Sequence, residues 1–412
     1  MKQNYDLIII GAGAAGIMAA ITAAREHKKV LLLEKLPQIA AKLKATGGGR
    51  CNLTNTLSNE AFMERFGRNG RFMQDALKMF DHKALVAFFG SIGVATHAPD
   101  GYRIFPTSHS SQTIIDALSL EMQRLGVTLL VSQKVTRILA KEGKIEGVAT
   151  QEETFYAQSV ILASGGLGYP MLGAEGDGYA MASALGHTLT PLYPAMMPLR
   201  TKETWVQNCR ADTIAKAELR VALPKHKKLH AIGDLIFTNS GIRGPVVLDF
   251  AREITPLLEQ YGEVPILINC TKGMDADKIF KHLKTEATKM PHAKVLELVC
   301  TLLPEPLSRE MCILSGVAID GMWGKISGAQ KESLVKTLAA TPLTITGHEG
   351  FKSAMITRGG ISLKEIDPKT MQSKIVKGLY FCGEVMDIDG PCGGYNLQWS
   401  FSSGALAGKL LG

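Results

Sequence analysis

No apolar run in these 412 residues reaches the length of a membrane span, which excludes a helical integral membrane protein. The apolar stretch at the N-terminus reads as the first strand of a strand–turn–helix pattern, so no signal peptide is expected and the predicted location is the cytoplasm. The seven cysteines (Cys51, Cys209, Cys270, Cys300, Cys312, Cys382, Cys392) contain no CxxC pair, and their number is odd. That argues against a disulfide framework and against a thiolate zinc site. His187 and His348 have no partner at metal-ligand spacing, so no metal is expected. Internal repeats and low-complexity tracts are absent. Acidic residues are in deficit, 38 against 46 basic ones, for a net charge of +8. The excess favours an anionic partner, nucleic acid first, without proving one. What remains, 46% hydrophobic and 20% charged, is the composition of a soluble protein long enough for two or three domains.

Residues 6–34 read DLIIIGAGAAGIMAAITAAREHKKVLLLE. Leu7–Ile10 is a continuous apolar run suited to a buried parallel strand. Gly11 allows a tight turn, Gly13 lets backbone approach a pyrophosphate, and Gly16 lets the next helix pack close to the strand. Ala14 and Ala15 open that helix, whose bare N–H groups and partial positive charge face the phosphates. Val30–Leu33 reads as a second strand. Glu34 ends it with a carboxylate placed to accept hydrogen bonds from a ribose diol. Strand, turn, helix, strand and acid stand in register and predict a dinucleotide site.

Three blocks are expected along the chain. Residues 1–190 read as an α/β domain. A Gly-rich loop follows Glu34, a helical pattern covers 60–92, a turn and short strand lie at 100–106, and an amphipathic helix covers 111–125. Strands are predicted over 127–131, 135–139, 145–150 and 160–162, the last running into a Gly-rich turn, Ala163–Gly168. Residues 191–350 interrupt this domain and form the predicted substrate domain, β-rich over 191–272 and mainly helical over 273–340. Residues 351–412 complete the cofactor domain. They carry a short strand at 378–382 and a Gly-rich loop leading into a helix of small residues, able to pack closely on a neighbour or a cofactor.

Beyond the fingerprint, VILASGG (160–166) and GLYFCGEVMD (378–387) resemble the second and third flavoprotein signatures, which favours FAD over NAD. There is no second GxGxxG, so NAD(P)H is expected to bind only transiently. The segments ATGGGRCNLTN (45–55), FPTS (105–108), ASGGLGYPMLGAEGDGYAMASALGH (163–187), IFTNSGIRGP (236–245), ITRGGISLKEIDPKTMQSKIVKGLYFCGEVMDIDG (356–390) and GGYNLQWSFSSG (393–404) resemble the BaiN/RdsA-type flavoproteins. The resemblance implies an α/β fold: a Rossmann-like FAD-binding domain interrupted by an inserted β-barrel and a small helical domain. It also implies an NAD(P)H- and FAD-dependent reductase. Two substrates are linked to such proteins: uridine in 23S ribosomal RNA, reduced to dihydrouridine, and small enes of bile-acid metabolism.

The resemblance carries the cofactor site onto Gly11, Gly13, Ala14, Ala15, Gly16, Glu34, Lys35, Lys42, Thr46, Gly47, Gly48, Arg50, Asn52 and Val135. It continues through Ala163, Ser164, Gly165, Gly383, Glu384, Asp387, Gly393, Gly394, Tyr395, Asn396 and Gln398. Asn52, Tyr395, Asn396 and Gln398 are amide and hydroxyl groups suited to a flavin edge or to uracil, with flavin the preferred reading for Asn396 and Gln398. Reducing a double bond needs a proton donor and a stabiliser of enolate-like charge. Cys51 in GGGRCN is the first candidate for the donor; the other reading is that it packs in a cofactor-binding loop. Arg50 is the candidate to tune that thiol or to hold a substrate carbonyl, and Cys392 is a second thiol candidate.

Residues 200–230 carry Arg200, Lys202, Arg210, Lys216, Arg220, Lys225, Lys227 and Lys228 against Glu203, Asp212 and Glu218. A phosphate backbone calls for such a surplus and a steroid-like substrate does not, yet a solvated charged face accounts for any one run as well. LPKHKKLH (223–230) with Arg220 is the expected RNA contact, on 23S rRNA or a large-subunit precursor. The main reading is a 23S rRNA dihydrouridine synthase. The rivals are a reductase of a small α,β-unsaturated metabolite and a flavin-containing RNA-binding or ribosome-assembly factor.

Overall fold

A computed structural model describes residues 4–210 and 213–412; Asp212 of the basic region lies outside them. The chain forms two compact units, residues 1–194 with 355–412, and residues 195–354.

The first unit is built on a seven-stranded sheet. Asn4–Ile10 lies parallel between Val30–Leu33 and Thr154–Leu162, with Ile8 opposite Leu31 and Ile9 opposite Ile161. Leu7, Ile8 and Ile9 have no exposed surface. The absence of polar alternation in LIII reflects a strand covered on both faces. Thr128–Leu130 extends the parallel set beyond Val30–Leu33, and Leu379–Phe381 joins Thr154–Leu162 on the other side. Lys144–Ala149 and Arg137–Lys141 add an antiparallel edge. A strand from the end of the chain therefore completes the sheet begun by its first residues.

The helix Ala14–Arg25 packs against the C-terminal helix Tyr395–Gly408. Small residues make the approach possible. A Cβ added at Gly404 would lie 2.3 Å from the Ala15 carbonyl oxygen, and one at Gly408 would lie 2.5 Å from that of Ala19. The small-residue helix thus packs on a neighbouring helix.

The second unit contains a closed barrel of six strands: Leu199–Thr201, Gly241–Arg243, His230–Phe237, Thr213–Val221, Val264–Asn269 and Thr341–His348. Alternate residues such as Val264, Ile266 and Ile268 point into its core. Helices follow at Ala276–Lys289, Val295–Val299, Glu305–Leu314 and Gly328–Ala339. Two elements depart from the sequence reading. The β-rich segment holds a 17-residue helix, Pro245–Tyr261, with Pro245 in its first turn and Pro256 inside it. A proline at the start is favourable, since its missing N–H would have no helical partner there. The barrel's last strand lies beyond the helical block, with Leu343 and Ile345 buried. Among the described residues, no helix is long and apolar enough to cross a membrane.

Candidate active site

The turn after the first strand is shaped by steric exclusion. Gly11 has φ +101°, and a Cβ there would meet the Ala163 carbonyl oxygen at 2.7 Å. A Cβ at Gly16 would lie 1.9 Å from the Gly11 carbonyl oxygen. Gly13 differs: a Cβ there would meet nothing within 4 Å. The fold itself does not need a glycine at that position, but a group approaching the bare helix N-terminus does. No side chain caps that terminus, so its N–H groups are open to an anion. Glu34 is buried, and its carboxylate accepts from Ala12 N–H at 2.8 Å and Leu36 N–H at 2.9 Å. It holds the turn from beneath and keeps lone pairs for a ribose diol. Ser164 follows the adjoining strand, and its buried Oγ has no hydrogen-bond partner among the described residues. These features fit a dinucleotide: open space at Gly13, an uncapped helix end and a polar atom awaiting a partner.

Gly383 packs against this turn, where a Cβ would lie 2.9 Å from that of Ala15. The next residue, Glu384, pairs with Lys42 at 2.6 Å and accepts from Thr357 N–H at 2.9 Å. Two expected cofactor residues from opposite ends of the sequence thus form one ion pair. Asp387 stands further along the same loop, its carboxyl held above its ordinary range chiefly by burial, with Asp389 adding to the effect.

A second cluster is knitted from the other glycine-rich motifs. Asn55 donates to the Gly393 carbonyl at 2.9 Å. The Asn52 amide, oriented to satisfy both ends, accepts from Gly394 N–H and donates to the Thr54 carbonyl, each at 3.1 Å. A Cβ at Gly394 would come within 2.6 Å of Thr54 backbone, so only glycine allows this contact. Tyr395 opens the C-terminal helix with its ring beside Phe62 and Phe66. Its hydroxyl hydrogen-bonds that of Tyr102. Arg50 is exposed, stacks over Phe105 at 5.6 Å and donates to the Gly47 carbonyl at 3.2 Å. Gly47 and Gly48 take left-handed φ values of +58° and +65°, which few other residues adopt at low cost.

Several expected site residues turn elsewhere. Cys51 has no exposed surface, and burial pushes its thiol up to about 12. Thr46 sits beside it, its own hydroxyl donating to the Leu43 carbonyl at 2.7 Å. The thiol is sealed inside the loop. Gln398 is also buried and donates to the Phe80 carbonyl at 3.0 Å and to Ser402 Oγ at 2.9 Å. Asn396 closes its own loop, accepting from Gly390 N–H at 2.8 Å and donating to the Gly390 carbonyl at 2.9 Å. Lys35 is held by Glu175 and Asp177, with Lys134 joining Asp177 at 3.0 Å. Val135 is buried near the Glu34 end of the sheet. Ala163 and Gly165 flank Ser164 in the turn against Gly11. Tyr102 escapes the sequence reading because no local motif marks it; its partner lies 293 residues away. Among the described residues no cluster suited to a metal ion occurs.

In the barrel unit, Lys225, Lys227 and Lys228 are exposed in the turn between Thr213–Val221 and His230–Phe237. Arg220 precedes them on the strand and pairs with Glu218 at 3.2 Å.

A profile described as the HI0933-like protein Rossmann domain matches residues 5–410. The 3-dehydro-bile acid delta(4,6)-reductase of Clostridium scindens is 33% identical over 404 residues, 97% of each chain. The ribosomal RNA dihydrouridine synthase of Haemophilus influenzae is 29% identical, covering 98% of this chain and 97% of its own. Among solved structures, the 3-ketosteroid delta4-(5alpha)-dehydrogenase of Rhodococcus jostii covers 98% of this chain and 95% of its own, with a TM-score of 0.52 at 16% identity. That similarity is one of fold.

Proposed function

The chain belongs to the HI0933-like Rossmann-domain family, and from that premise we propose that it is an FAD-dependent reductase, re-reduced by NAD(P)H, that saturates the 5,6 bond of a uracil in 23S rRNA. The observation that carries the reading is the joining of the 45–55 and 390–396 loops through Asn52 and Asn55. The joint fixes the start of the C-terminal helix, where Tyr395 meets Tyr102, on the same unit as the Gly11 turn, and Arg50 lies on one of the joined loops. The delta(4,6)-reductase and the dihydrouridine synthase named above are both named for saturating a double bond, which takes a hydride at one carbon and a proton at the other. Their names supply the substrate classes.

Gly11, Gly13 and the N-terminus of Ala14–Arg25 hold a pyrophosphate, and Glu34 accepts from the ribose. Ser164, with its unpartnered Oγ, and Gly383, packed on Ala15, complete the cofactor turn, and the Lys42–Glu384 pair follows Gly383. Bound flavin supplies a hydride when reduced. Arg50 stabilises enolate-like charge on the carbonyl oxygen of the target, which is where negative charge develops. Its stacking on Phe105 holds the guanidinium without neutralising it. The target base leaves its stack to reach such a site. Arg220, Lys225, Lys227 and Lys228 contact the phosphate backbone.

A second reading is reduction of a small conjugated ene by the same groups, after the name of the 33% identical bile-acid reductase. Mapping dihydrouridine in large-subunit RNA from a strain lacking the gene separates the two. Loss of one dihydrouridine supports the RNA reading. An unchanged map, with purified protein oxidising NAD(P)H in the presence of a small enone, replaces it with the second. If a flavin-free Gly13→Glu variant fully supports ribosome assembly and neither substrate is reduced, the protein is an assembly factor.

A further inference from the structure

Cys51 is sealed by burial, and the second cluster contains another group able to give a proton. We propose that Tyr102 is the proton donor of the reductase, with Tyr395 as its positioning residue; the inference rests on the reductase reading above.

The two phenolic oxygens are 2.5 Å apart. Tyr395 is 2% exposed, its ring fixed by Phe62 at 4.9 Å and Phe66 at 5.9 Å. It holds its hydroxyl in one place. Tyr102, by contrast, is only half-buried. Its backbone is set by the same loop that carries the family motif: the Tyr102 carbonyl accepts from Thr56 N–H at 3.0 Å, and Asp100 accepts from Tyr102 N–H at 3.0 Å. Gly393 completes the placement. A Cβ there would lie 3.7 Å from the Tyr102 ring, so the glycine leaves the phenol uncovered on that side.

A hydroxyl pair has two protons and one shared bond. Either oxygen can donate in this bond; we assign the donor role to Tyr395, which leaves the Tyr102 proton for the substrate. A bound reduced flavin would supply the hydride that makes the C–H bond at the carbon remote from the carbonyl. The π bond breaks and its electrons move to the carbonyl as an enolate. The enolate collapses, and the carbon next to the carbonyl takes the Tyr102 proton. The Tyr102 O–H bond breaks, and water restores that proton through the exposed side of the ring.

The test uses flavin-loaded full-length protein reduced anaerobically with NADPH or NADH, then mixed with 2-cyclohexenone or with transcribed 23S rRNA. Reoxidation is followed by flavin absorbance. Tyr102→Phe is expected to keep its flavin content and its rate of reduction by NAD(P)H. Its reoxidation by substrate should fall by about 10²- to 10⁴-fold, the range for loss of a general acid, with KM within about threefold of wild type. Equal reoxidation in Tyr102→Phe and wild type overturns the proposal and leaves the reductase reading intact. No reoxidation of wild type by either probe overturns both. If Tyr102→Phe fails to hold flavin, Tyr395→Phe decides: kcat lowered about tenfold or more with unchanged KM supports the pair, and wild-type kcat overturns it.

Discussion

Asn55 donates its side-chain amide to the Gly393 carbonyl at 2.9 Å, across 338 residues of sequence. Asn55 has no exposed surface, and its Oδ1 also accepts from Leu57 N–H at 3.2 Å. Asn55→Ala should therefore leave buried backbone groups unpaired and cost about 1–3 kcal/mol. Because this bond joins the two loops of the second cluster, flavin retention should fall along with the melting temperature. A stable variant with full flavin content would separate the joint from cofactor binding.

Gly13 and Gly16 should respond differently to the same methyl group. Gly13→Ala meets open space in the fold, so unfolding free energy should change by less than about 1 kcal/mol. Flavin content on purification should nonetheless drop sharply. Gly16→Ala drives a carbon into the Gly11 carbonyl oxygen and should cost roughly 3 kcal/mol or more. Absorbance at the flavin band and chemical denaturation read the two effects separately.

The buried thiol predicts inertness. Burial holds Cys51 up at about 12, so iodoacetamide at mildly alkaline pH should label the half-buried Cys300 and Cys392 before it. Cys51→Ala should keep its turnover and lose about 1–2 kcal/mol of stability. Loss of product formation with normal flavin content would restore Cys51 as the donor.

His187 makes a case for pH. Its side chain has no exposed surface, its Nε2 bonds Ser373 Oγ at 2.9 Å, and its ring meets Phe381 edge-on. Burial holds its pKa below the ordinary histidine value, with Glu365 opposing the shift. The unfolded chain then takes up the proton first, near pH ~6.5. Stability from this group is present above that pH and is lost as pH falls toward the lower folded value. The melting temperature of His187→Gln should fall less than that of wild type between about pH 7 and pH 5. Parallel curves would assign the acid sensitivity elsewhere.

The barrel loop yields a salt test. Replacing Lys225, Lys227 and Lys228 by Gln should weaken RNA binding. The slope of log affinity against log salt should shrink by about 0.7–0.9 for each phosphate the variant no longer neutralises. An unchanged slope would leave the loop as ordinary solvated surface.

Much of this architecture is legible in local pattern, and the exceptions share a cause. The strand Asn4–Ile10, the turn at Gly11 and the strand Val30–Leu33 each declare themselves within a few residues. Helix Pro245–Tyr261 is hidden by its prolines, which usually end helices but here stand at the first turn and at one interior position. Tyr102 carries no signal because its role depends on Tyr395. Asn396 and Gln398 resemble flavin ligands by chemical type alone, and amides serve a chain's own backbone as readily as a ligand. Sequence spacing reports neighbours along a strand or helix; it is silent on which distant loop a side chain will meet.

The packing of Ala14–Arg25 on Tyr395–Gly408 has a consequence for folding speed. The two helices are far apart in sequence, so their contact closes a very long loop before it gains any burial. Until that loop closes, the alanine- and isoleucine-rich face of Ala14–Arg25 stays uncovered, and refolding of the first unit should be slow, with the docking of the two helices among its late steps.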